Sequence, residues 1–478
     1  MRLKKRLFAV AAVVAMTAAV VYGSTREIGA LGSLEEQMSW LSEKETIYCW
    51  YSDESMSNYI NMAAVSFGEQ EGVRVIPMLT DDSAYLEAIN QASLSPESVP
   101  DVYLISNDYL EKAYLAGLAS EIRDTEGLCT LDNFPKAALD ATSYRGMQVA
   151  YPLFYNTSVL IYNDTYIQEW VQQQATKAMG GDMDNTGDSA VVQETPQEPV
   201  EGTTVTGDKP IDEEILLQQK IKEYQLRSIP HTIDKVLEIA DSYDAPDTVE
   251  GIMKWDVTDV FYNYWAVGNY MVVGGDAGDE ENYIDINNEN VKQCLETYKR
   301  LNQFFSIEAD TVSYESVVQD FLDGKIVYTI ATTDIVEQIQ KAREEGAFPY
   351  EYAAAEMPDI TENLSSRSLS LTNAVVVNGY STKKELANQF AAYMAGDFAD
   401  ELYSRCGKPA ANRHADKDNE ILQVFMKEYE NSISLPKMMS TGNFWMQAEV
   451  LFSQVWNGGN IETLLQDLNE QISGQVSQ

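Results

Sequence analysis

The sequence predicts an α/β protein built around a mainly parallel sheet and large enough for two or more lobes. Two observations carry that reading. From Glu45 onward, short apolar strands alternate with amphipathic helical stretches, the rhythm of βαβ units. The chain also has 478 residues, 45% of them hydrophobic and 10% aromatic, which is more than one hydrophobic core usually serves.

Taken in order, "TIYCWY" is a strand, "SNYINMAAVSFGEQEG" a helix, "VRVIPML" a strand, "SAYLEAINQASL" a helix, "DVYLI" a strand and "YLEKAYLAG" a helix. In parallel sheets of this kind ligands sit beyond the carboxyl ends of the strands, where Trp50 to Ser55 fall. Capping of the following helix by Ser52, Asp53 or Ser55 is the competing use of those side chains. After Trp170 the apolar period fades, and residues 171–214 read as an acidic, low-complexity surface insertion. Within it Asp182, Asp184 and Gly187 imitate a calcium loop, but Thr186 weakens it and Gln193 replaces the closing Glu, so no metal is expected. Helical periodicity returns at "IDEEILLQQKIKEYQ" and at "TIDKVLEIADSY", where Thr232 is a candidate cap. "NVKQCLETYKRLNQFF" and "SVVQDFLDG" follow as helices, "KIVYTIAT" and "LTNAVVVNG" as strands, and the chain ends in helix broken at Gly458-Gly459.

Residues 1–23 combine a basic start (Arg2, Lys4, Lys5, Arg6) with an apolar run that ends in small residues, the pattern of an export signal. The run is roughly 16 residues, about 24 Å as a helix against a bilayer core of about 30 Å, so cleavage after Gly23 and retention as an anchor both stay open. The first cysteine is Cys49, so no lipid-accepting Cys follows the run.

Several function classes are set aside by composition. With 75 acidic against 33 basic residues, the net charge of -42 repels phosphate backbones, and no nucleic-acid partner is expected. Cys49, Cys129, Cys294 and Cys406 are far apart with no histidines beside them, which reads as isolated thiols rather than a zinc site or a disulfide scaffold. His231 and His414 are the only imidazoles, and both fall in polar surroundings rather than in a triad. No nucleophile elbow, metalloprotease, dinucleotide or P-loop signature occurs. What remains is a set of aromatics near strand ends and loops: Trp50, Tyr51, Tyr109, Tyr155, Tyr262, Tyr264, Trp265 and Trp445. Flat aromatic faces stack on sugar rings while neighbouring Asp, Asn and Ser bond the hydroxyls.

The stretches "VPDVYLISNDYLEKAYLAGLASEI", "VAYPLFYNTSVLIYNDTYI", "IPHTIDKVLEIADSY", "FLDGKIVYTIATTDI", "STKKELANQFAAYM" and "GNFWMQAEVLFSQVW" occur in this order. Together they resemble the extracellular solute-binding proteins of ABC importers, family 1, of the maltodextrin-binding type. The resemblance runs from Glu45 to Ile472 outside the acidic insertion. It implies a two-lobed periplasmic-binding-protein type II fold, with hinge-linked α/β lobes closing on a central ligand cleft. Lobe one would hold residues 45–155 and 374–412, lobe two residues 158–371 and 416–478, with crossings near Tyr155 to Ser158 and Leu371 to Ala374.

By the same resemblance the ligand edge of lobe one is Ser52, Asp53, Asp108 and Tyr109, with Asn156 at the crossing. The matching lobe-two positions are Tyr262, Tyr264, Asp334 and Trp445, with Trp445 in "NFWMQ" as the stacking platform. The implied protein is a monomer outside the cytoplasmic membrane that captures a carbohydrate, an oligosaccharide, and delivers it to the transmembrane subunits of a permease. No catalytic residue, cofactor or metal is implied. An anchored ligand sensor of the same fold and a secreted glycan-active enzyme are the alternatives.

Overall fold

The computed structural model describes residues 44–81, 84–95, 99–125, 127–185 and 213–476. The expected export signal and most of the acidic insertion, including its calcium-like loop from Thr186 on, lie outside them.

The first three strands, β1 (Thr46–Tyr51), β2 (Arg74–Leu79) and β3 (Val102–Ser106), follow the expected βαβ order, with helices Ser57–Gln70 and Tyr85–Ser93 between them. A small hairpin, β4 (Ser143–Tyr144) with β5 (Met147–Gln148), leads into the long β6 (Tyr151–Asn163). Then come β7 (Gly251–Met253), the short pair β8 (Val272–Val273) and β9 (Ile284–Asp285), β10 (Ile326–Thr332), β11 (Tyr352–Ala355), β12 (Leu369–Val377) and β13 (Ile433–Ser434). Nine of these form one sheet in the order β2-β1-β3-β12-β6-β10-β7, with β11 on β6 and β13 on β12.

The sheet is mixed rather than mainly parallel. β1 runs parallel to β2 and β3, but β12 is antiparallel to β3 and to β6, and β10 and β11 are antiparallel to β6. β6 explains why. At 13 residues it is about 43 Å long, and it changes partner along its length. Tyr151 to Thr157 pair with β12, and Ser158 to Tyr162 pair with β10. Every residue of β6 except Asn156 is buried, the polar Thr157, Ser158 and Asn163 included, so the strand has no inside-outside alternation from which its partners could be read. Its register on β12 shifts beside Asn373 and Ala374, opposite Pro152, which has no N–H to give the ladder.

The core divides along the same line. β3 alternates, sending Val102 and Leu104 into a cluster with Ile47, Phe67 and Phe390, and Tyr103 and Ile105 into a second with Ile89, Leu110 and Tyr144. The far half of β6 sends Leu160 and Tyr162 into a third cluster with Trp255, Trp265, Tyr298, Phe452 and Trp456. Two features depart from the sequence reading. Helix Asp164–Asn185 runs through the first part of the expected insertion, and Val171 and Ala175 there are fully buried. That helix packs on helix Glu213–Ser228, with Trp170 edge-on to Tyr224 at 6.1 Å, so tertiary contacts override a composition poor in apolar residues. Thr232 stands at the start of helix Ile233–Ser242, but its side chain makes no capping hydrogen bond. All four cysteines are free thiols, and both histidines are exposed.

Candidate functional site

A cavity of about 430 Å³ opens at the carboxyl ends of β1 and β3. Tyr51, Ser52, Asp53 and Met56 line it from the β1 edge, and Ser106, Tyr109 and Lys112 from the β3 edge. Helix Tyr85–Ser93 adds Tyr85 and Glu87, and the two crossing strands add Phe154 and Asn373.

The loop after β1 does two things with one side chain. Asp53 caps the short helix Glu54–Met56, accepting from the Ser55 backbone N–H at 2.9 Å and the Ser55 hydroxyl at 2.6 Å. Its other oxygen stands 3.6 Å from Lys408 Nζ. Partial burial pushes the Asp53 carboxyl up, but the Ser55 bonds and the Lys408 charge outweigh it and hold the group below the usual range. After β3 the buried Asn107 donates to the Leu435 carbonyl and accepts from the Thr372 N–H, both at 2.9 Å, which ties the strand end to β12. Asp108 accepts from the Ser106 hydroxyl, and burial pushes its carboxyl up against the opposing pull of that bond. Tyr109 is 48% exposed and lines the cavity edge.

The expected lobe-two residues fall into two groups, neither of which lines this cavity. Tyr262 stacks on Tyr314, with ring centroids 4.6 Å apart. The Tyr314 hydroxyl donates to Asp334 Oδ1 at 3.1 Å, and the Thr332 hydroxyl and Gln338 Nε2 complete the shell of Asp334. Asn156 is next to them, accepting from the Thr333 N–H at 3.2 Å and the Thr333 hydroxyl at 2.9 Å. The second group is Trp445, partly buried at the start of helix Phe444–Trp456, whose ring meets Tyr264 edge-on at 5.7 Å.

Ser52, Asp53 and Tyr109 are thus brought together as expected positions of one wall, and Asp108 backs that wall through Ser106. Tyr264 is a correction. It is 2% exposed and its hydroxyl donates to the Met271 carbonyl at 2.6 Å, so it supports Trp445 from below and presents no face to a ligand. Tyr262 is also buried, at 7% exposure, packed between Tyr314 and Phe261 and hydrogen-bonded to the Thr332 side chain. Sequence reasoning missed Tyr85, Glu87, Lys112, Phe154, Asn373 and Lys408. Two of these carried a signal: Lys112 is one helical turn beyond Asp108, and Phe154 lies in the "PLFYN" stretch itself. Among the described residues no group of His, Cys, Asp and Glu could hold a metal ion.

A mixed α/β fold crossed by two long strands, with a cavity at the strand ends beside the crossings, defines a ligand-binding protein of the periplasmic-binding type. A model of the bacterial extracellular solute-binding protein family matches residues 63–408, and the chain belongs to that family. Among solved structures it is similar to an extracellular solute-binding protein of Staphylococcus aureus in complex with maltose, at 16% identity and TM-score 0.69 over 91% of this chain and 99% of that one. A cyclo/maltodextrin-binding protein complexed with maltotetraose gives 15% identity and TM-score 0.68 over 91% and 98%. The maltose-binding periplasmic protein MalE of Listeria monocytogenes, in complex with maltose, gives 16% and 0.64 over 91% and 99%. No curated protein matches the chain. At these identities the structures establish the fold, and the family establishes a non-enzymatic solute-binding protein of ABC import. The alternative of a glycan-active enzyme falls with that assignment. Among the described residues no helix is long and apolar enough to cross a membrane.

Proposed function

We propose that the chain captures a carbohydrate, an oligosaccharide, outside the cytoplasmic membrane and delivers it to the transmembrane subunits of a permease. The observation that carries this is the make-up of the cavity, where the exposed ring of Tyr109 and the largely buried rings of Tyr85 and Phe154 line the same space as Ser52, Asp53, Ser106 and Asn373. Aromatic platforms with interleaved hydroxyl partners suit sugar rings, and the volume is in the usual range for small-molecule sites. That the fold neighbours are named as maltose and maltotetraose complexes supports the same class.

In this reading residues 45–155 and 374–412 move as one lobe and residues 158–371 and 416–478 as the other, hinged on β6 and β12. Ser52, Asp53, Asp108 and Tyr109 meet one side of the sugar, Asn156 lies at the crossing, and Tyr262, Asp334 and Trp445 come to the other side on closure, with Trp445 as the stacking face. A thermal-shift screen of the chain from Ser24 on, against mono- and oligosaccharides with amino-acid and polyamine controls, tests it. A ligand at 100 times its Kd adds about 2.7 kcal/mol of stability. A shift with an oligosaccharide that Trp445→Ala removes is expected; shifts confined to the amino-acid or polyamine controls would end the carbohydrate reading.

A further inference from the structure

The acidic side chains at and around the cavity are already engaged by the protein itself. Asp53 has Lys408 at 3.6 Å, and that ammonium also stands 6.0 Å from the centre of the Phe154 ring. Asp108 holds the Ser106 hydroxyl, and burial pushes its carboxyl toward the protonated form. Glu87 accepts from Gln91 Nε2 at 2.7 Å and lies in the first turn of helix Tyr85–Ser93, where the backbone N–H groups offset a negative charge. Glu111 does not line the cavity; its oxygens accept from the Tyr144 hydroxyl at 3.0 Å and the Met439 N–H at 2.6 Å.

Lys112 differs from all of these. It is exposed and lines the cavity, and among the described residues no carboxylate pairs with its ammonium. It follows Tyr109, the residue that opens helix Leu110–Leu115, by three positions. Side chains at that spacing leave one helical face with their Cβ atoms about 5–6 Å apart. A ring platform and an unpaired cation therefore stand side by side on one wall, with the Ser52 hydroxyl and the Asn373 amide lining the same space.

We propose that Lys112 makes this cavity a site for an acidic oligosaccharide, its ammonium pairing with a carboxylate or sulfate ester on the sugar that stacks on Tyr109. The inference deepens the carbohydrate reading above and rests on it. Closure around a ligand takes water from the cavity, and an ammonium without a counter-charge is costly to dehydrate. A neutral sugar leaves that cost standing, whereas an anionic substituent removes it and adds a charge-assisted hydrogen bond. The net charge of -42 opposes anions only at long range. Salt screens such fields within about 8 Å at physiological ionic strength, so the groups inside the cavity decide.

The test is isothermal titration of the full chain with three tetrasaccharides: neutral maltotetraose, tetragalacturonate with ring carboxylates, and a neocarrageenan tetrasaccharide with sulfate esters. One of the two acidic probes is expected to bind about tenfold more tightly than maltotetraose, and which one it is tells carboxylate from sulfate ester. That preference should shrink as salt is raised, since it rests on charge. Lys112→Met should abolish the preference and its salt dependence, and Lys112→Arg, which keeps the charge, should retain both. The ligand-free melting point of Lys112→Met should match the parent, as expected for an exposed side chain, so that a lost preference reports on the ligand rather than on folding. Maltotetraose bound as tightly as both acidic probes, or an acidic preference that survives Lys112→Met, would overturn the proposal and leave the carbohydrate reading in place. No binding by any of the three also overturns it, and takes the carbohydrate reading with it where the wider sugar screen is blank as well.

Discussion

The two walls proposed for the cleft are built on opposite principles. On the β1–β3 side the side chains stand at strand ends and in the short loops after them, so Ser52, Asp53 and Tyr109 face an open cavity. On the β10 side the corresponding residues are bound into their own surroundings: Tyr262 under Tyr314, Asp334 inside a shell of three donors, Tyr264 beneath Trp445. The first wall is a surface ready for contact, and the second is a packed aromatic shelf of which Trp445 is the partly exposed lip. Side chains on the first wall should therefore change binding with little change in stability, and the packed residues beneath Trp445 on the second should do the reverse.

Tyr264→Ala sharpens the contrast most. It empties a fully enclosed site and strips the Met271 carbonyl of its donor, and should destabilise by about 3–5 kcal/mol in denaturant unfolding. Tyr109→Ala, on the open wall, should stay within about 0.5 kcal/mol of the parent in the same assay while weakening ligand binding. A large stability loss in the second variant would break the comparison. Tyr314→Phe removes a buried hydroxyl from Asp334 and should cost about 1 kcal/mol; no change on thermal unfolding would mean that Thr332 and Gln338 hold Asp334 unaided.

The smallest effects separate the two carboxylates of the open wall by pH. Asp53 is held below the usual range, so its contribution to stability is present above the unfolded-state value and is lost as pH falls through the lowered one. Asp108 is pushed up, so it binds its proton more tightly when folded, and its contribution is greatest in acid and is lost as pH rises through the raised value. Asp53→Asn should accordingly lower the melting point at pH 7 but not in strong acid. Asp108→Asn should raise it at pH 7, and a matching loss in both variants at pH 7 would contradict the assignment.

The sequence disclosed the open wall better than the packed one, for a physical reason. A strand followed at once by small polar residues fixes where Ser52 and Asp53 fall, because the sheet delivers strand ends to one edge. In "VFYNYWA" two short helical turns carry Tyr262, Tyr264 and Trp265 all inward, and aromatic residues at a loop look the same whether they face solvent or core. Lys408 reaches Asp53 from a distant part of the chain, and no local pattern records such a contact. Helix Asp164–Asn185 was hidden by its Gln, Gly and Asp content, although Trp170, Val171 and Ala175 already mark a buried side. The direction of β6 was hidden because a strand buried on both faces has no alternation to read.

The proposed function requires both walls to grip one ligand. The direct measurement is a double-mutant cycle by isothermal titration, with the oligosaccharide identified in the thermal screen and the variants Tyr109→Ala, Trp445→Ala and the two combined. Each single change should weaken binding roughly tenfold, the scale of one lost aromatic platform. The double variant should depart from the product of the two, because a ligand released by one wall no longer draws the lobes closed. Full affinity in Trp445→Ala, with the loss confined to Tyr109→Ala, would contradict the account and leave a one-walled site.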